Sequence, residues 1–276
     1  LARGSGVDGL AAMVPASSSH GVTWFRPLLA LSRDALREYL RAEGQGWADD
    51  PSNDDSRFDR VKARQMYNTL APLGLTSERL ARTAEQMSLA RAALNHYAAG
   101  LLSQHAKIAH GDILLSFPEQ APRETVLRAF AHCLGWTAST AYRPRYDALT
   151  AALAAPRPVT LHGCRITPEN GALRITREYA AVADMATPPA ALWDGRWRLY
   201  GPPPAPGAHV AALGEIGLAE CPGWRAAGLP RASLLATPAL WLGDRLLSAP
   251  VAGRSEGYAA RLCHGLEHLV SSLSPD

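Results

Sequence analysis

The residues whose types and spacing could do chemistry fall at both ends of the chain. RGSGVDG at residues 3–9 sets Gly4, Gly6 and Gly9 on a G-x-G-x-x-G spacing, which in dinucleotide-binding folds lets a backbone turn approach a pyrophosphate. That use needs a strand before the first glycine and a helix after the last. Only Leu1, Ala2 and Arg3 precede Gly4, and Pro15 with the run Ser17-Ser18-Ser19 leaves room for little more than a helical turn. The spacing is read as a glycine loop carrying Arg3. At the other end, HGLEH (264–268) has the H-x-x-E-H form in which His264 and His268 would hold zinc and Glu267 would act as base. Gly265 weakens the helix that this requires, so a terminal surface helix is preferred and a zinc hydrolase is kept as the alternative.

Between these lies a charged stretch. Asp49, Asp50, Asp54, Asp55 and Asp59 crowd one loop. An EF-hand starting at Asp50 would need glycine in its sixth place and glutamate in its twelfth, where the sequence has Asp55 and Val61. Calcium is excluded on that ground, and the carboxylates are read as turn and cap residues. Arg57, Arg60 and Arg64 follow at i, i+3 and i+7, with Lys62 nearby and Phe58 and Val61 expected to face inward. A one-sided ridge of this kind can track a phosphate backbone. The chain has no G-x-S-x-G elbow, no Walker loop and no convincing acid and base pair, so it holds no complete catalytic centre.

The elements that must position these residues can be read from caps and periodicity. VTWFRPLLAL (22–31) reads as extended, and Ser32 caps a helix, SRDALREYLRAEG, with Leu36, Tyr39 and Leu40 on one stripe and a stop at Gly44. Thr76 caps a long amphipathic helix with Leu80, Met87, Leu94 and Leu101 in line. Pro122 opens another, with Val126, Leu127, Phe130 and Leu134 inward, and RPRYDALTAALAA (143–155) makes a third. Residues 76–156 are therefore expected to be all-helical. Beyond them, turns at Asn170-Gly171, Asp194-Gly195 and Gly243-Asp244 predict β-hairpins.

With 276 residues, 47% hydrophobic and 19% charged, the chain is expected to be globular and multidomain. A net charge of +3 is too small to prove a nucleic-acid partner, and the basic residues are nearly all arginine, with Lys62 and Lys107 the exceptions. Cys133, Cys164, Cys221 and Cys263 are widely spaced, as expected of reduced cysteines in a cytoplasmic protein. No apolar run is long enough to span a membrane, so a soluble protein is expected.

Three segments taken in order, RGSGVDGLAAM (3–13), RPLLALSRDALREYL (26–40) and WADDPSNDDSRFDRVKAR (47–64), resemble the tRNA(Ile)-lysidine synthetases, N-type ATP pyrophosphatases. The D-P-S-N element at Asp50–Asn53 followed by R-F-x-R is the most specific piece. GCRITPENGALRITRE and TPALWLGDRLLSAP are similar to the C-terminal region of proteobacterial members. The resemblance is firm over about residues 1–75.

The resemblance implies an α+β multidomain fold: the last part of an α/β PP-loop domain (1–72), a helical domain (73–156) and a small β-hairpin-rich domain (157–276). It implies a ligase that uses ATP and Mg to join lysine to the wobble cytidine of tRNA(Ile) through an adenylated intermediate. The S-G-G-x-D-S loop expected to bind ATP does not occur in this sequence. The chain is thus expected to be N-terminally truncated and to bind tRNA without adenylating it, and a stand-alone RNA-binding module is the other reading. Arg3, Arg57, Arg60, Lys62 and Arg64 would meet substrate or tRNA. Gly4, Gly6 and Gly9 would permit a tight loop beside the substrate cleft, and Asp50 and Asn53 would shape the motif. The family often reads R-N-x-I-R where this chain has Arg60-Val61-Lys62-Ala63-Arg64, so the asparagine is missing.

Overall fold

The computed structural model describes residues 6–19, 22–53, 55–140 and 143–273. It divides into two compact units, Leu1–Ala92 and Ala93–Asp276. The first unit contains a short helix α1 (Val7–Leu10), a hairpin of β1 (Ala16–Ser19) and β2 (Val22–Phe25), then α2 (Arg33–Ala42), α3 (Asp59–Leu70) and the start of α4 (Ser77–His105). Ser32 caps α2 as its type suggests, its hydroxyl accepting from the Ala35 amide at 3.1 Å. The helix after the glycine loop is as short as expected, ending at Leu10, and the serine run then forms β1 against the extended VTWF segment. Apolar burial is thin here. Of the described residues of this unit only Ala11 and Val61 are fully buried apolar side chains, while Trp24, Phe25, Leu28 and Tyr39 stay exposed.

The second unit is built on two hydrophobic cores. An antiparallel sheet runs β3 (Ala106–Ala109), β4 (Asp112–Ser116), β7 (Ala172–Arg177), β6 (Cys164–Glu169) and β5 (Val159–Leu161). Helices α5 (Arg123–Ala138) and α6 (Tyr146–Leu153), the end of α4 and the terminal α9 (Leu266–Ser271) supply the rest of the first core, around Leu102, Phe130, Leu134, Ile113, Ile166, Ile175 and Leu269. A second sheet orders β12 (Arg245–Ser248), β11 (Pro238–Leu242), β10 (Ala208–Ala212) and β8 (Ala186–Thr187), with α7 (Gly214–Ala219), α8 (Arg231–Leu235) and a separate ribbon of β9 (Trp197–Tyr200) and β13 (Ala259–Leu262). Its core gathers Trp193, Trp197, Leu213, Leu234, Leu240 and Leu246.

Residues 76–156 are not all-helical. AKIAHGDILLS forms β3 and β4, turning at His110-Gly111, where both residues have positive φ (49° and 93°). Ile113 and Leu115 point into the first core with the period of two expected of a strand, and β4 pairs with β7. A boundary at residue 156 would cut this sheet, and the first unit runs to Ala92, inside α4, rather than to residue 72. Gly111 cannot be replaced cheaply, since a Cβ there would come within 2.5 Å of the Trp197 ring. The turns at Asn170-Gly171 and Gly243-Asp244 do join neighbouring strands, β6 to β7 and β11 to β12. Asp194-Gly195 makes a tight turn bridged by Trp193 and Trp197, but β9 then pairs with the distant β13 instead of folding back into a hairpin.

A layer of charge joins the two cores. The Asp112 carboxylate accepts from Arg174 Nη1 at 2.9 Å and from the Ser233 hydroxyl of α8 at 2.6 Å, and Arg174 also donates to both oxygens of Glu169. Asp194, whose side chain is 2% exposed, receives the guanidinium groups of Arg177 and Arg196 at 3.1 Å. Each also donates to a backbone carbonyl, Arg177 to Gly163 at 2.7 Å and Arg196 to Gly111 at 3.1 Å. Ser139, just past α5, donates to the Asp194 carbonyl at 2.6 Å. Every charge in this layer thus has a partner, as burial requires.

The terminal helix α9 is fixed differently. His132 of α5 is within 2.7 Å of the Leu269 carbonyl, which can only accept, so Nε2 carries the proton. Burial, and then the positive neighbours Arg143 and His268, push the His132 imidazole down to about 4. Between pH 6.5 and 4 the unfolded chain therefore binds a proton that the native state refuses. Stability from this site is complete above about pH 6.5 and falls as the pH drops toward 4, by about 3 kcal/mol in all. Urea unfolding of His132→Gln at a series of pH values should show that slope reduced; an unchanged slope would place the titration elsewhere.

Candidate nucleic-acid interface

The stretch that carries the sequence motif is held by helix α2. Arg33, Arg37 and Arg41 recur at i, i+4 and i+8 and so share one face. Arg33 and Arg37 both donate to Asp49 Oδ1, at 2.9 and 2.7 Å, and the guanidinium groups of Arg37 and Arg41 lie 5.3 and 5.2 Å from the Trp47 ring centre. Two ion pairs and two cation–π contacts thereby clamp residues 47–49 onto the helix. The spacing of these arginines was visible in the sequence, but their targets were not, because nothing local links Arg33 to a carboxylate sixteen residues away.

Downstream, the aspartates do the turn work expected of them. Asp50 accepts from the Ser52 amide at 2.8 Å, and its carbonyl accepts from the Asn53 amide at 2.9 Å, closing the turn Pro51–Asn53. Asp55 accepts from the Arg57 amide at 2.9 Å in the same way.

The arginine ridge differs from its sequence reading. Arg57 lies before α3, which starts at Asp59, and its guanidinium folds back on Asp55 through Nε at 2.9 Å and Nη2 at 2.6 Å. The cause is local: a carboxylate two residues upstream in a turn is within reach before any helix forms. With 86% of its side chain exposed, Arg57 is presented to solvent but already paired. Lys62 is 4.0 Å from Asp59, whereas Arg64 is exposed and forms no ion pair among the described residues. Arg60 belongs to α3, but its side chain lies outside what is described. Val61 is buried as expected, and Phe58, expected inward, is 40% exposed. Residues 47–64 hold five carboxylates against four cations, and among the described side chains of this laced loop Arg64 is the cation that forms no ion pair.

The glycine loop is reached only in part. Arg3 and Gly4 lie outside the described residues. Gly6 caps α1 with φ −78° and Gly9 is inside that helix, so neither needs glycine for its backbone; the left-handed residue is Ala12, at φ 56°. A tight glycine turn is therefore not what Gly6 and Gly9 provide.

At the C-terminus, α9 begins at Leu266, leaving His264 outside it, and the His264 and His268 rings stack nearly parallel, 4.0 Å apart. Among the described residues no three His, Cys, Asp or Glu side chains are grouped to hold a metal ion. The thiols of Cys133, Cys164 and Cys221 are buried and free, and burial pushes Cys164 up to about 12, so it stays protonated. No described helix is long and apolar enough to cross a membrane.

All the clamp contacts are at the surface, where each is worth at most about 1 kcal/mol. Asp49→Ala, which removes two of these contacts, should therefore lower the stability of the full chain by no more than about 2 kcal/mol, yet trypsin should cut residues 47–64 faster. An unchanged cleavage rate would show that the loop holds its shape without the clamp.

Comparison with known proteins agrees with this motif. The PP-loop domain family matches over residues 1–70. A tRNA(Ile)-lysidine synthase from Ruegeria pomeroyi is 44% identical over 279 residues, covering 99% of this chain and 66% of the relative. Those of Anaplasma marginale and Wolbachia pipientis are 33% and 32% identical, over 66% and 67% of this chain and 41% and 45% of their own lengths. The chain thus spans from under half to about two thirds of these relatives. Identity of 44% running through both compact units, on top of the D-P-S-N loop, establishes that the chain belongs to the tRNA(Ile)-lysidine synthase family.

Proposed function

We propose that this chain serves the reaction of its family, the ATP-dependent ligation of lysine to C2 of the wobble cytidine of tRNA(Ile), and that its own share is to bind the tRNA. The observation that carries the reading is the match to a tRNA(Ile)-lysidine synthase along 99% of the chain. The S-G-G-x-D-S loop through which the family binds ATP does not occur in this sequence, so the share proposed for these residues is the tRNA. What they do offer is guanidinium groups set on a braced surface. Arg64 and Lys62 on α3 take phosphate oxygens directly, and Arg57 exchanges Asp55 for phosphate when RNA arrives. By the family resemblance Arg3 and Arg60 also meet substrate or tRNA, while Asp50 and Asn53 shape the turn that precedes α3. Such contacts make binding salt-dependent, and a tRNA substrate implies work in the cytoplasm.

Filter binding of residues 1–276 to a tRNA(Ile) transcript tests the reading, beside a lysine-incorporation assay with ATP. The expected result is tRNA binding that weakens on the order of tenfold or more between 50 and 200 mM salt, without lysine incorporation. Equal affinity for duplex DNA of the same length, or no binding, would remove tRNA recognition from this chain. Incorporated lysine would show that it is catalytic by itself.

A further inference from the structure

The two-stranded ribbon β9–β13 has faces of opposite character. Register places Trp197 opposite Leu262 and Leu199 opposite Ala260, and these four side chains pack on the second core. The other face carries Arg198 directly opposite Arg261, then Tyr200 opposite Ala259. Arg198 and Arg261 are exposed, Tyr200 is 51% exposed, and the Arg261 guanidinium lies 5.6 Å from the Tyr200 ring centre.

Directly opposed residues on an antiparallel pair have their Cβ atoms about 5 Å apart, and like charges there repel. Neither arginine has a carboxylate within ion-pair distance among the described residues. A one-residue slip would separate the charges, but it would also turn Trp197 and Leu262 out of the core, so burial on one face locks the repulsion in on the other. A paired cation site with an aromatic shelf beside it is complementary to a phosphodiester whose neighbouring base is unstacked.

We propose that the outer face of this ribbon is an RNA-binding surface, with Arg198 and Arg261 sharing phosphates of an unpaired stretch of tRNA and Tyr200 stacking on one of its bases. The naming of tRNA as occupant rests on the function proposed above; the site itself rests on the ribbon. It lies in the second unit, and the D-P-S-N loop lies in the first. WRLY and AARL gave no sign of it in sequence, since the opposition of Arg198 and Arg261 exists only once residues sixty-three positions apart have paired.

The test is the salt dependence of tRNA(Ile) binding by the full chain and its variants. Arg198→Ala with Arg261→Ala should flatten the slope of log affinity against log salt by about 1.5, at 0.7 to 0.9 per phosphate contact. Tyr200→Ala should lower affinity by about tenfold with the slope unchanged. Arg198→Glu places opposite charges across the ribbon, so it should raise the melting temperature of the free protein while weakening tRNA binding. A double-alanine slope equal to that of the parent, with parent binding intact, overturns the ribbon site and leaves the proposed function standing. Equal loss of duplex DNA and tRNA affinity in the Tyr200 variant, or a lower melting temperature for Arg198→Glu, also overturns it. Absence of tRNA binding by the parent chain overturns both.

Discussion

The second unit depends on how two arginines share one buried carboxylate. Asp194 is at the junction of the two cores, with Arg177 arriving from the end of the five-stranded sheet and Arg196 from its own turn. Taking three charges out of water is costly, and mutual attraction repays it only when every remaining donor is satisfied. The Gly163 and Gly111 carbonyls accept from the two guanidinium groups, Ser139 donates to the Asp194 carbonyl, and Arg196 also lies 5.6 Å from the Trp136 ring centre. A second cluster around Asp112, Arg174 and Ser233 repeats the arrangement along the sheet. Hydrophobic contacts would tolerate sliding between the cores. Directed charges fix one registration.

That registration has consequences at the surface. Trp197 follows Arg196 directly, so the same turn that aims Arg196 at Asp194 starts the ribbon whose outer face carries Arg198 and Tyr200. Charge that is buried and paired holds in place charge that is exposed and unpaired. The first unit uses weaker means, since its clamp of Arg33, Arg37 and Arg41 on Trp47 and Asp49 is at the surface and its apolar core is small. A loop braced by exchangeable ion pairs can give one of them up to a phosphate, as the Asp55–Arg57 pair is suited to do.

Local signals were legible in the sequence, and long-range ones were not. Ser32, Pro122 and Asn170-Gly171 act within a few residues of themselves, and each behaves as its type dictates. The hairpin of β3 and β4 escaped notice because His110 takes a left-handed position usually given to asparagine or aspartate, and because its apolar strands adjoin a long helix. Asp194-Gly195 has the chemistry of a hairpin turn, but Asp194 is claimed by Arg177, and β9 finds its partner sixty residues on. Arg57 was read as helical from its spacing, which cannot register the competing carboxylate at Asp55. The family was legible because D-P-S-N and R-F-x-R are contiguous.

The buried charge layer makes the two cores one cooperative body. Native-state hydrogen exchange on the full chain carrying Asp194→Ala reads this out, comparing amides of β7 in one sheet with those of β11 in the other. Both sets should lose protection together, by about 3 kcal/mol or more, the cost of leaving buried guanidinium groups without their partner. Loss confined to β11, with β7 protected as before, would contradict it and show two cores that merely touch.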